Sequence, residues 1–354
     1  MQPETAGGKV TIFDPDQWTL LHSSLVFLIC AATIAVLGTR LTRVVDQLAD
    51  RTGLGEAVTG AVLLGAATSL SGAVLSVTAA WKGHPELAIS NALGGIAVQT
   101  LFLAVADIFY RRANLEHAAA SAPNMLQNAL LISLLALILL APYMPGFTIW
   151  GVHPVTPILF GLYVYGIHLV KGAQQKPMWH PSVTRETRKD VPEPEEATPA
   201  LPRLTVEFLV LMLLLGLAGW ILVPAATNIA EQTGLGQTTV GVLFTATSTS
   251  LPELVTSIAA VRRGALTLAV GGIVGGNAFD TLFTAASDVA YREGSIYHAV
   301  SDDTIFWVIL ALVMSGILMM GLIRRQEQGF ARIGAESVAI IIVYGLGVGL
   351  MFSR

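Results

Sequence analysis

Two short stretches in the second half of the chain carry oxygen donors in otherwise apolar surroundings. The first is Thr247-Ser248-Thr249-Ser250-Leu251-Pro252-Glu253-Leu254-Val255-Thr256-Ser257, and the second is Gly271-Gly272-Ile273-Val274-Gly275-Gly276-Asn277-Ala278-Phe279-Asp280-Thr281. Hydroxyls, carboxylates, amides and backbone carbonyls are the ligands of hard cations. An acid such as Glu253 inside an apolar run is costly to ionise unless paired, so it marks a functional position by default. Pro252 lacks an N–H and obstructs the helical carbonyl four residues back. Carbonyls freed in this way survive in a membrane only where they line protein or a watery cavity, and there they can ligate a cation. Asn277 and Asp280 are three residues apart and share a helix face, while the neighbouring glycines allow close helix contact.

The elements that must hold these residues are legible from hydropathy. Of 354 residues, 53% are hydrophobic and 12% charged, with a mean hydropathy of +0.66. Soluble proteins carry roughly 25% charged residues. Ten apolar stretches fall near residues 19–39, 57–80, 86–109, 124–143, 149–170, 205–224, 236–261, 265–289, 303–323 and 333–352. Each has about the 20 residues needed to cross a bilayer core. A soluble helical protein would instead show charged faces at helical period. The expected class is therefore an all-α integral membrane protein. Met1 to Gln17 lacks the basic region of a secretory signal, so the first apolar run reads as a retained span. Cys30 has no partner cysteine, and the seven histidines show no metal-ligand spacing. The basic residues are scattered in pairs, which excludes a nucleic-acid surface.

A repeat organises the ten stretches. Thr52 to Asp107 aligns with Thr233 to Asp288 at a constant offset of 181, with 22 identical pairs in 56 and no gap. Composition alone would match roughly one pair in ten. The matches fall on small and polar positions: Thr52-Gly-Leu-Gly with Thr233-Gly-Leu-Gly, Thr68-Ser69-Leu70 with Thr249-Ser250-Leu251, Ser76 with Ser257, and Asp107 with Asp288. Each copy holds five stretches. An odd number makes the second copy enter the membrane from the opposite side, the inverted-repeat plan of many secondary transporters. The expected organisation is thus an N-terminal five-helix repeat over 1–170, a linker over 171–203 rich in Pro and charge, and a C-terminal five-helix repeat over 204–354. This plan puts 16 of the 20 Lys and Arg residues on the linker side, which makes the linker cytoplasmic and both termini external. A bacterial inner membrane fits that bias.

The run Ser250-Leu-Pro-Glu253 followed by Gly276-Asn277-Ala-Phe-Asp280 resembles the second α-repeat of the calcium/cation antiporter superfamily, the sodium/calcium exchangers and their relatives. The ten-span plan is similar along nearly the whole chain. The resemblance implies exchange of calcium for sodium, potassium or protons by alternating access. It places ions between spans 2, 3, 7 and 8, with spans 1 and 6 as a sliding pair. It makes Thr249, Ser250, Glu253 and Asp280 the metal ligands of the second half-site, with Gly276 at a position that often bears Ser and Asn277 as packing support. Pro252 and Ser257 belong to the same motif.

The first repeat departs from the family pattern. Ser71-Gly72 stands where Pro-Glu is usual, Ile96 matches Asn277, and Gln99 matches Asp280. Thr68, Ser69, Ser76 and the Gln99 amide remain, so this half keeps neutral oxygens and lacks a carboxylate. Glu86 cannot substitute, because it lies 13 residues before Gln99, roughly 20 Å along a helix. Losing one acid should weaken calcium, or leave a site better suited to a monovalent ion or proton, and protons are expected to be able to act as the counter-ion. The expected activity is secondary cation antiport of Ca²⁺ or another cation against Na⁺ or H⁺. The alternative is a transport-incompetent homologue acting as sensor, scaffold or partner subunit. An enzyme is not expected, for want of a nucleophile–base set, and no cofactor is implied beyond the transported cations. The partners are inorganic cations and the lipid bilayer. Asp107 and Asp288 form a further symmetric pair, read either as cation-attracting vestibules or as interfacial acids.

Overall fold

A backbone in hydrocarbon must satisfy its own hydrogen bonds, and a helix does so within one segment. The computed structural model follows that rule. It describes residues 18–110, 112–186, 199–233, 246–329 and 333–353, and no strand occurs among them. The helices are α1 (Leu20–Thr52), α2 (Glu56–Thr68), α3 (Leu70–Trp81), α4 (Pro85–Phe109), the short α5 (Leu115–Ala118), α6 (Ala122–Leu140) and α7 (Val155–Gln175). After the linker come α8 (Leu201–Gln232), α9 (Ala246–Thr249), α10 (Leu251–Arg263), α11 (Leu266–Ala290), α12 (Asp302–Arg324) and α13 (Ala335–Ser353). Seven of these are long and apolar enough to cross a membrane, the bent pair α2 and α3 passes the same test jointly, and α13 holds a shorter apolar segment.

Among the described residues each expected stretch falls mainly on helix, with bounds that differ for physical reasons. Hydropathy marks 19–39, yet α1 runs on to Thr52 because Leu41, Val44, Val45 and Leu48 stay buried along one face of its charged extension. The stretch expected from 149 begins its helix only at Val155, after a turn in which Ile149 and Val152 pair. The expected start of the span over 236–261, the motif half Gly234-Leu235-Gly236, the N-terminal Met1–Gln17 and the Pro-rich linker residues 191–198 lie outside the described residues.

The offset of 181 recurs in the helices themselves. It relates both ends of α4, Pro85 and Phe109, to both ends of α11, Leu266 and Ala290. These two helices are the most deeply placed, with 78% and 83% of their most apolar windows buried. Small residues bring α11 close to α2. A Cβ on Gly275 would stand 2.1 Å from the Ala61 Cβ, and one on Gly65 would stand 2.8 Å from the Gly276 Cα.

Two breaks also match at this offset. The α2–α3 pair bends by 56° at Ser69 (φ −83°, ψ 2°), and α9 gives way to α10 at Ser250 (φ −92°, ψ 3°). Pro252 therefore does not obstruct a continuous helix. It sits in the first turn of α10, where a missing N–H costs nothing. Ser69 breaks its helix with no proline nearby. At the periphery α1 packs along α8, and Cys30, Ile34, Ala218 and Leu222 form a small apolar cluster separate from the main core. Arg40 bridges to Glu207 (2.6 Å) across this pair, and Arg263 ties α10 to Asp46 of α1 (2.9 Å).

Candidate ion-binding site

The two helix breaks face one another and are flanked by α4 and α11. Ser69, at the first break, donates to Glu253 Oε1 in the first turn of α10 (3.0 Å). Gln99 of α4 donates through Nε2 to Asp280 Oδ2 of α11 (2.7 Å) and lies 3.4 Å from Ser250 Oγ. Gln99 and Asp280 are equivalent positions of the repeat, so this bond joins like to like across the two copies.

Ser69, Gln99, Thr249, Ser250, Glu253 and Asp280 line one cavity of ≈ 10 Å³, room for about one water or one bare cation. All six residues are at most 5% exposed. Three of the oxygens, Glu253 Oε2, Asp280 Oδ1 and Gln99 Oε1, are buried with no hydrogen-bond partner among the described residues. A buried acceptor without a donor is costly, and a cation removes that cost. The donor set is all oxygen, which fits a hard cation and not a thiolate or imidazole metal.

Other residues expected at the site take supporting places. Thr68 turns back on its own helix, its Oγ1 donating to the Leu64 carbonyl (2.9 Å). Asn277 Nδ2 donates to Thr100 Oγ1 (3.0 Å), bracing α11 on α4. Gly276 meets Gly65 at the helix crossing, and Ser257 is buried. Ser76 Oγ accepts from Asn91 Nδ2 (2.9 Å). Asn91 lines the cavity, and sequence reading missed it. Its position matches Gly272, so the repeat gives no signal there, although a lone amide in an apolar stretch is itself a cue.

Asp107 and Asp288 do not face water. Both are fully buried. Asp107 accepts from the backbone N–H groups of Leu115 (2.6 Å) and Gly334 (2.9 Å). Asp288 accepts from those of His153 (2.8 Å) and Ile296 (3.1 Å) and from Thr156 Oγ1 (2.7 Å). They are symmetric loop anchors, and both the vestibule reading and that of interfacial acids reaching water give way to that geometry.

Helices long and apolar enough to cross a bilayer, packed around two broken segments, are the frame of an integral membrane protein. The chain belongs to the sodium/calcium exchanger protein family, whose model matches residues 22–170 and 203–353, on either side of the linker. That family is one of transporters and not of enzymes, and this chain is an integral membrane protein. Among curated proteins, the chain is 26% identical over 306 residues to the protein named "Putative antiporter CaxA" of Alkalimonas amylolytica, covering 85% of this chain and 89% of the relative. It is also 26% identical over 266 residues to inner membrane protein YrbG of Escherichia coli (strain K12), covering 73% and 76%. Among solved structures, the sodium-calcium exchanger NCX_Mj shares the fold with a TM-score of 0.65 at 18% identity, covering 94% of this chain and 99% of that one.

Proposed function

We propose that the protein is a secondary cation antiporter that moves Na⁺, Ca²⁺ or a related cation against another cation or H⁺ by alternating access. The observation that carries this reading is the cavity between the two helix breaks, with three oxygens, on Glu253, Asp280 and Gln99, that have no hydrogen-bond partner among the described residues. Glu253 and Asp280 supply the charge, and Ser69, Ser250, Thr249 and Gln99 supply neutral oxygens. With only two acids a divalent ion is just neutralised, and a monovalent ion leaves one acid for a proton. Proton-coupled exchange follows from that count.

The ten-span plan belongs to the same proposal. Counting α2 with α3 and α9 with α10 as broken spans gives five spans per repeat, which inverts residues 204–354 relative to 1–170. In this plan the linker over 171–203 is cytoplasmic and both termini are external. The Lys and Arg bias supports that orientation, and a bacterial inner membrane accommodates it. The α1–α8 pair, with its own small apolar cluster, is the element that slides past the rest to open either side. The test is flux in liposomes containing the purified protein, with Na⁺ and Ca²⁺ each offered under an imposed pH gradient. Exchange driven by the gradient supports the reading. No flux under any gradient would sink it and leave the scaffold alternative.

A further inference from the structure

The first repeat lacks its carboxylate, yet the cavity wall on that side is not bare. Asn91 of α4 is 3% exposed and lines the cavity. Its Nδ2 donates to the Gly72 carbonyl (3.1 Å) and to Ser76 Oγ (2.9 Å). The Gly72 carbonyl can only accept, so the amide nitrogen must face it and both N–H bonds are committed. Oδ1 therefore points away from α3, toward Thr249 Oγ1 at 3.4 Å. That contact is long, and the same Thr249 hydroxyl also donates to the Ala246 carbonyl (3.1 Å). One hydroxyl proton cannot serve both acceptors well, which leaves the Asn91 carbonyl oxygen with lone-pair capacity on the cavity side. The Cβ that Gly72 lacks would stand 3.7 Å from Asn91 Nδ2. A carboxylate at position 72 would thus begin beside this carboxamide.

Resting on the antiporter reading above, we infer that Asn91 is a direct ligand of the transported ion and a specificity-determining residue, giving the first half-site a neutral carbonyl oxygen that favours a monovalent cation such as Na⁺. Ser76 and the Gly72 carbonyl act through it as positioning groups. A neutral oxygen contributes a dipole and no charge, so it coordinates without adding to the attraction that a divalent ion would gain from a third acid. The bland competitor is a brace between α3 and α4 that never meets the ion.

The experiment measures Na⁺ and Ca²⁺ binding to the full-length protein in lipid nanodiscs, with Asn91→Ala, Asn91→Asp, Ser76→Ala and Glu253→Gln compared with the natural chain. Asn91→Ala is expected to weaken Na⁺ about tenfold, the worth of one lost ligand hydrogen-bond equivalent. Asn91→Asp keeps the shape but turns an acceptor onto the Gly72 carbonyl, and in the folded variant its added charge is expected to raise the Ca²⁺-to-Na⁺ affinity ratio by at least about tenfold. Ser76→Ala leaves the amide in place with one fewer restraint, and a few-fold loss of Na⁺ affinity is expected. A brace would lower thermal stability in these variants without moving the ion ratio. The inference is overturned if both Asn91 variants, or Ser76→Ala where those do not fold, keep the natural affinities within about twofold while Glu253→Gln abolishes binding. If Glu253→Gln also binds normally, or the natural chain binds neither ion, the antiporter site itself falls and this inference with it.

Discussion

Gly72 is where the account of the missing charge is most exposed to test. A Cβ added there would meet Phe283 Cε2 at 3.6 Å, Asn91 Nδ2 at 3.7 Å and Thr249 Cβ at 4.0 Å. All three are ordinary van der Waals contacts, so the position accepts a Cβ, and a Gly72→Glu side chain starts at the wall of the cavity that Gly72 lines. One added unit charge about 4 Å from an ion is worth about 4 kcal/mol at an effective dielectric of about 20. A divalent ion gains that amount twice and a monovalent ion once. The cost of burying the new acid is common to both and cancels in their ratio. The ceiling on the change in Ca²⁺-to-Na⁺ preference is therefore about 4 kcal/mol, near a factor of 10³, and about tenfold is the least expected once side-chain mobility is allowed for. The assay is competitive binding of the two ions to purified protein in nanodiscs, with a thermal melt to show that the variant is folded. A folded Gly72→Glu whose preference moves by less than about threefold would refute the electrostatic reasoning.

Three further outcomes follow from the packing and the loops. Gly275→Ala places its Cβ 2.3 Å from the Ala61 Cα, so α2 and α11 must part, and a melting point lowered by the equivalent of about 1–3 kcal/mol is expected; an unchanged melt would show that the crossing is loose. Asp288→Asn turns an amide onto donors that now find a carboxylate at 2.7–3.1 Å, which should cost about 1–3 kcal/mol of stability while leaving ion affinity unchanged; slowed ion entry with an unchanged melt would restore the vestibule role. Glu116 is 4% exposed and accepts from Ser337 Oγ (2.8 Å). Burial first, and then the Asp107 charge, push its carboxyl from 4.5 up to about 7. The folded protein thus holds a proton that the unfolded chain releases, and stability falls as pH rises through that window. Glu116→Gln should flatten the fall and be more stable at pH 8 by up to about 3 kcal/mol, read from melting points across pH; an equal slope in both proteins would contradict it.

The helices and their pairing by 181 residues were legible because lipid imposes long apolar runs and a gap-free duplication preserves polar positions. Glu253, Asp280, Ser69 and Gln99 were legible for the same reason, since buried oxygen donors stand out against such a background. The bend at Ser69 was not, because no proline announces it. Pro252 suggested a break at the right place but on the wrong grounds, since the helix restarts before it. Asn91 escaped because its match in the other copy is Gly272. The roles of Asp107 and Asp288 depended on loops folding back from residues as distant as Gly334 and His153, which no local pattern encodes.

The most direct measurement is cation flux in proteoliposomes under an imposed pH gradient, comparing the natural chain with Glu253→Gln. Exchange of Na⁺ or Ca²⁺ that follows the gradient and is abolished by the substitution is the expected result. Flux that persists unchanged in Glu253→Gln would contradict the site, and exchange indifferent to pH would contradict the proton as counter-ion.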